Sequence, residues 1–303
     1  MIRQSSDDVH TAHQSDAIQS LDALVGSRNR SNVLRRIRWI EDRLWWTGSL
    51  RRSDLVDRFG ISPQQASQDI AAYQHIHPGL AKMDPSSRAY LLEEGATPLF
   101  PKDPPGWISQ EMADGAPVLP LERLPMPGRR ATPRVMAGLL AAFDARRAVT
   151  IEYQSMSRDG PSARTICPHH LIDTGHRSHV RAWDALRGRF ADFVVGRIVS
   201  ASPCPEYPWV DGLADEQWHN LATVVLAPAS GLTTAQRRAV EEDYGMHGGR
   251  VEFTVRKALV TYVAEALGVL EEIQSAVGAE PPTRGRRELC CLNPRELAAY
   301  VPS

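Results

Sequence analysis

Residues 36–74 read RIRWIEDRLWWTGSLRRSDLVDRFGISPQQASQDIAAYQ, and their periodicity decides the fold of the first domain. Val33, Ile37, Ile40 and Leu44 recur at helical spacing, Leu34 and Trp45 widen that apolar face, and Arg35, Arg36, Arg38, Asp42 and Arg43 face elsewhere. Gly48 closes this helix. A second, shorter helix fits residues 53–59, with Ser53 as its cap, Leu55, Val56 and Phe59 for packing, and Gly60 as its stop. The third has the clearest start signal in the chain: Ser62 stands before Pro63 at the first helical position, and Gln65 stands where a capping-box partner reaches back. Ala66, Ile70 and Tyr73 then form its inward stripe, which leaves Gln64, Gln65, Ser67 and Gln68 outside. Residues 80–84 and 89–93 pair as a hairpin around Pro85, Ser86, Ser87 and Arg88. Three helices followed by a hairpin is the order of a winged helix-turn-helix.

Outward from this domain the chain changes character. Residues 1–30 are polar without a sustained apolar period, which predicts a flexible tail. Residues 95–133 hold nine of the 22 prolines, so they predict a linker with a short docked helix near residues 107–112. Residues 136–147 are helical again and lead into AVTIEYQS, where Val149, Ile151 and Tyr153 alternate with polar residues at a strand period. Residues 164–172, 177–184 and 190–196 read as further strands of a small antiparallel domain. After a second Pro-rich join at residues 203–208, a β-α-β-α-β order over residues 223–292 predicts a C-terminal α/β sandwich. The fold class is therefore α+β and multidomain.

Composition narrows the function. Lys and Arg total 35 against 36 acids, but residues 31–60 carry seven Arg against four acids, and residues 144–200 nine Arg against six acids. Local positive charge favours a phosphate-bearing partner. No apolar run approaches the ~18 residues that would span a bilayer, and the first residues lack a signal-peptide core, so no membrane partner and a cytoplasmic location are expected. Four cysteines, Cys167, Cys204, Cys290 and Cys291, have neither a disulfide framework nor metal-knuckle spacing, and Cys290-Cys291 read as a buried strand pair. His169 and His170, adjacent on a strand, point to opposite faces and make a poor ligand pair. No nucleophile elbow or phosphate-binding glycine loop frames the Ser, His and Asp residues. Neither an enzyme nor a resident cofactor or metal is expected.

Two clusters carry the chemistry. At the start of the third helix, Ser62, Gln64, Gln65, Ser67 and Gln68 are short or amide side chains able to bond base edges in a major groove, and Gln bonds adenine at two positions. Arg51, Arg52 and wing residue Arg88 are placed to hold phosphates, which sets register without reading sequence. In the middle domain, strand alternation puts Arg177, His179, Arg181 and Trp183 on one face, a set suited to an anion or a stacked base. A solvated, merely polar face is the competing reading of both clusters.

These residues carry a family resemblance. Residues 36–74 resemble the winged helix of the WYL-domain transcriptional regulators that accompany bacterial anti-phage systems, of the BrxR/CapW type. IEYQSMS, ICPHHLIDTGHRSHVRAWD and FADFVVGRI resemble their WYL domain, and residues 221–303 resemble their C-terminal extension. The Trp-Tyr-Leu triplet of the family falls here on Ser178-His179-Val180, and a family Arg falls on Ala191, with Arg189 two residues earlier. The resemblance implies a division into a tail (1–30), a winged helix-turn-helix (31–94), a linker and dimerisation segment (95–133), an Sm-like-barrel WYL domain (134–202) and a dimerisation domain (203–303). It implies a homodimeric repressor that binds double-stranded DNA at a palindromic operator in a phage-defence operon. It also implies a nucleotide or nucleic-acid ligand held by Tyr153, Ser155, Arg164, His169, His179, Arg181, Arg189 and Arg197. An accessory protein that tunes a nuclease or helicase is the alternative function.

Overall fold

The computed structural model describes residues 30–113, 120–122, 131–157, 159–276 and 288–301, which fall in two compact units, Met1–Leu124 and Pro125–Ser303. The expected tail and most of residues 114–130 lie outside the described residues.

The first unit holds α1 (Arg30–Thr47), β1 (Ser49–Leu50), α2 (Arg52–Phe59), α3 (Pro63–Ile76), β2 (Ala81–Asp84), β3 (Ala89–Leu92) and α4 (Pro104–Ala113). Ile37, Ile40 and Leu44 from α1 meet Leu55, Ala66, Ile70 and Tyr73 in one core, which Leu50 and Leu80 complete. Each fully buried Leu or Ile contributes about 1.5–3 kcal/mol of transfer free energy, which offsets the ordering of the short α2 and α3. Gly60 ends α2 at φ 62°, a left-handed turn that a side chain would strain. The cap of α2 differs from the expectation: Arg51, not Ser53, is the capping position, and the Asp54 carboxylate accepts from Arg51 N at 2.9 Å. The β2–β3 hairpin is joined by β1, which pairs with β3 through only two residues and is too short to show a period in sequence.

Residues 96–113 fold back on the three-helix core. His77 bonds Thr97 O at 2.7 Å, and the Glu41 carboxylate, fully buried, accepts from Leu99 N (3.0 Å), Phe100 N (2.9 Å), Tyr73 OH (2.8 Å) and Lys102 Nζ (2.8 Å). On α4, Trp107 stacks on Trp46 at 5.4 Å and Glu111 pairs with Arg58 at 2.8 Å.

The second unit begins with α5 (Pro133–Asp144), capped by Thr132, and continues into β4 (Val149–Gln154), β5 (Pro161–Asp173), β6 (Ser178–Asp184), β7 (Arg189–Val194) and β8 (Ile198–Pro203). All pairings are antiparallel, in the order β7-β6-β5-β4-β8. Among the described residues β7 and β8 do not pair, so this sheet is open and the expected Sm-like barrel is not closed. One face packs on α5 through Val149, Ile151, Ile166, Val180 and Ala182.

The other face, expected to be open to an anion or a stacked base, with solvent as the competing reading, is covered. Residues 204–219, including α6 (Glu216–His219), run across it: Cys167, Cys204 and Ala148 pack with Trp183, Tyr207, Trp209 and Val210. Gly212 approaches His169 so closely that an added Cβ would lie 2.6 Å from the His169 Cβ. The C-terminal part then forms β9 (Leu221–Pro228), α7 (Thr234–Asp243), β10 (Val251–Arg256), α8 (Val260–Ala266), α9 (Leu270–Ser275), β11 (Leu289–Cys291) and α10 (Pro294–Leu297). Its antiparallel sheet, order β10-β9-β11, packs against the helices through Val224, Leu226, Val240, Val260, Ile273 and Leu289. Cys291 is buried there and Cys290 is half-buried.

Candidate functional site

In the first unit the candidate nucleic-acid interface is the start of α3 with the wing. Ser62 Oγ accepts from Gln65 N at 3.1 Å, with Pro63 at the first helical position, so the helix begins where the sequence expects. Gln65 does not close a capping box. Its Nε2 donates instead to Asp69 Oδ1 at 2.9 Å. Asp69 is held in turn by Arg36, Nε to Oδ2 at 2.6 Å and Nη2 to Oδ1 at 3.3 Å. Arg36 is thus buried rather than outward-facing, because the Asp69 carboxylate on α3 gives its guanidinium a partner inside the core. Ser67 Oγ donates back to Pro63 O at 3.0 Å, while Gln64 and Gln68 are exposed without a side-chain hydrogen bond among the described residues.

Arg51 and Arg52 are exposed at the start of α2, and Arg88 is exposed at the wing tip with φ 52°. The tip is shaped by Asp84, whose carboxylate accepts from the Ser86 and Ser87 backbone and hydroxyls; these bonds hold its pKa well below the usual carboxylate range. Six of the eight expected DNA-facing residues therefore keep free exposed donors or cations, or cap the helix, while Gln65 and Ser67 are turned into the protein's own bonds.

In the second unit, the structure does not gather the expected ligand set at one point. Arg181 is 4% exposed and its guanidinium is fully engaged: Nε and Nη2 bond Asp215 at 2.7 and 3.1 Å, Nη1 bonds Asp192 at 3.2 Å, and Nη2 also reaches Gln217 at 3.2 Å. Arg164 is buried against Asp184 at 3.3 Å. Two arginines expected to receive an anion are thus neutralised by carboxylates, one of them 34 residues away in sequence. Tyr153 OH accepts from Val194 N at 3.3 Å, its ring packs edge-on to Phe193, and Ser155 bonds Ser157 in a turn. Arg189 is exposed and pairs in register with Asp184, five residues along β6 from His179. At about 3.3 Å per residue that separates them by roughly 16 Å.

What remains together is His179 with Arg197. His179 is buried, its Nδ1 has no hydrogen-bond partner, and its ring lies 4.9 Å from Tyr262, whose hydroxyl donates to Asp192 at 2.9 Å. Burial lowers the His179 pKa against the pull of Asp192, and the nearby Arg197 charge lowers it further. Arg197 is half-exposed and has no ion pair among the described residues.

His169 and His170 correct a second expectation. A bulge between Pro168 and His170 breaks the alternation, so the rings meet with Nδ1 to Nδ1 at 2.6 Å instead of pointing apart. His169 Nε2 stands 3.2 Å from Asp215, and His170 lies 4.2 Å from Trp218, whose carbonyl accepts from Arg256 at 2.6 Å. Among the described residues no group of three metal-ligating side chains forms.

This cluster carries a pH prediction. Burial, reinforced by His170, lowers the His169 pKa to about 4. The unfolded chain therefore binds a proton near pH 6.5 that the folded one refuses, so stability is full above pH 6.5 and falls as the pH drops toward 4. The expected loss is about 3 kcal/mol, read as an acid-side drop in melting temperature that His169→Gln flattens. A wild-type melting temperature constant from pH 7 to 4.5 would contradict it.

A capped, amide-bearing helix with a wing, followed by a β-rich domain locked to a C-terminal sheet, defines a winged helix-turn-helix regulator. Residues 32–104 match the family model of the BrxR transcriptional regulator winged helix-turn-helix domain, residues 134–203 the WYL domain, and residues 221–297 the BrxR C-terminal dimerization domain. The chain is 34% identical over 250 residues to the DNA-binding transcriptional repressor CapW of Escherichia coli (strain KTE188), covering 78% of this chain and 83% of that one. It is 35% identical over 262 residues to CapW of Stenotrophomonas maltophilia (80% and 85%), and 33% over 253 residues to CapW of Pseudomonas aeruginosa (78% and 83%). The alignment with the solved proteasome accessory factor B/C of Arthrobacter aurescens covers 95% of this chain and 52% of that one, at 15% identity and a TM-score of 0.26, a structural similarity too low to inform the fold. The chain belongs to the BrxR/CapW family of DNA-binding transcriptional regulators; it is a regulator with a dimerization domain, not an enzyme. No described helix is long and apolar enough to cross a membrane.

Proposed function

We propose that the protein is a homodimeric repressor that binds a palindromic operator upstream of a phage-defence operon and responds to a nucleotide or nucleic-acid fragment through its middle domain. The observation that carries the DNA part is the pair of exposed amides, Gln64 and Gln68, on a well-capped α3, in a domain whose wing also exposes Arg88. One winged helix reads one half-site, so a dimer reads two copies at fixed spacing. The bonds to bases would come from α3, and those to phosphates from Arg51, Arg52 and Arg88. Gel-shift titration against the DNA upstream of its own gene, with scrambled DNA as control, tests this; equal affinity for both duplexes contradicts it.

For the sensing part, the buried His179, whose Nδ1 has no hydrogen-bond partner among the described residues, and Arg197, which has no ion pair among them, support a ligand contact at their end of the sheet. Arg197→Ala is expected to leave operator affinity within a few-fold and to remove the effect of short oligonucleotides or cyclic nucleotides on it. The coupling so lost should be about 1–3 kcal/mol. A variant that still responds fully would place the ligand elsewhere.

A further inference from the structure

On α3, Gln64, Ser67, Gln68, Ala71 and His75 are all exposed and fall on one face at helical spacing. Only Gln64 and Gln68 offer complete amides there. The Ser67 hydroxyl proton is already given to Pro63 O, and Gln65 is drawn aside by Asp69, which Arg36 fixes from α1. No Arg or Lys stands on this stripe. In a major groove, guanine is read mostly by Arg or Lys forks, adenine by Gln or Asn amides, and the thymine methyl by small apolar groups such as the Ala methyl.

We propose that α3 reads A·T pairs, with Gln64 and Gln68 bonding adenines and the Ala71 methyl resting on a thymine methyl. Asp69 keeps Gln65 out of the groove, so Gln65 is not a base reader. From Gln64 to Ala71 the helix rises about 10 Å, roughly three base pairs of duplex, so each half-site carries a short A·T core under α3. The exposed Arg51, Arg52 and Arg88 lie off this stripe and serve register. This inference rests on the operator reading above and adds to it the base content of the site.

Selection of a randomised duplex pool with the full-length protein tests both and separates them. The expected product is a palindrome whose half-sites share a contiguous A·T core. Replacing adenine by 7-deazaadenine in that core, which removes the N7 acceptor, should weaken binding about tenfold or more per contacted base. Replacing the contacted thymine by uracil should weaken it several-fold, and Ala71→Gly should abolish that thymine–uracil difference. Gln65→Ala should select the same motif as the wild type, whereas Gln64→Ala with Gln68→Ala should relax it. The modified duplexes need no protein variant, so the test stands even if a variant folds poorly. A palindrome with G·C pairs under α3, indifference to both modified bases, or a motif shifted by Gln65→Ala overturns the inference while the operator reading survives. Failure to enrich any motif removes both.

Discussion

Replacing Arg181 with Ala is expected to remove about 3–5 kcal/mol of stability from the second unit, because it leaves Asp215 buried without its counter-charge. Asp215 is 2% exposed, and its carboxylate also accepts from Trp218 N at 3.2 Å to start α6, so its loss of a partner reaches beyond one ion pair. Asp192 loses a partner too, although its bond from Tyr262 remains. Denaturant unfolding of the full chain should show an earlier transition, and operator affinity measured where the protein is still folded should stay near wild type. An unchanged unfolding midpoint would mean that Arg181 does not clamp the sheet to residues 215–217. The variant separates clamp from sensor, since a residue that only received a ligand would leave the midpoint in place.

Glu41→Ala should have a comparable effect on the first unit. Its carboxylate is fully buried and satisfies two backbone amides, the Tyr73 hydroxyl and Lys102. Removing it orphans those donors, at a cost of about 3–5 kcal/mol. Tyr73→Phe removes only one of the four bonds and should cost about 1 kcal/mol. Because Tyr73 lies on α3, a double-mutant cycle between Glu41 and Tyr73 would report how firmly the buried Glu41 of α1 holds α3. A cycle with no coupling energy would refute that connection.

The helices and strands were legible wherever burial is one-sided. Ile37, Ile40 and Leu44, Ala66, Ile70 and Tyr73, and the alternating Val149 and Ile151 all face the cores that their periods predict. The faces of β6 were also read correctly, with His179, Arg181 and Trp183 opposite Val180 and Ala182. What the sequence hid is what covers the first of those faces. Periodicity reports which side chains share a surface, but not whether a later segment with the matching carboxylate returns to it. Asp215 and Asp69 each neutralise an arginine more than thirty residues away, and nothing local to Arg181 or Arg36 signals that. Asp192, which pairs in register with Arg181, and Asp184, which pairs with Ile166 two residues along β5 from Arg164, were the hints within reach. The bulge at Pro168 likewise escaped, because the alternation rule assumes an unbroken strand. On α3, Gln65 could be read as a capping residue or a base reader; the i,i+4 Asp69 was the signal for a third fate.

The crossing of residues 204–219 over the middle sheet bears on how such regulators can be recombined. A cut at Pro203, where the match to the WYL domain ends, would strip Trp183, Cys167 and Ala148 of their apolar cover and leave the Arg181 guanidinium inside a sheet without Asp215. A transplanted WYL domain would need to carry residues 204–219 with it, and Trp218 would then still need Arg256 from β10 of the dimerization domain. Exchange of WYL domains between relatives should therefore give folded chimeras when the WYL and dimerization domains travel as one cassette, with the seam on the N-terminal side of α5, and fail when the seam is placed at Pro203.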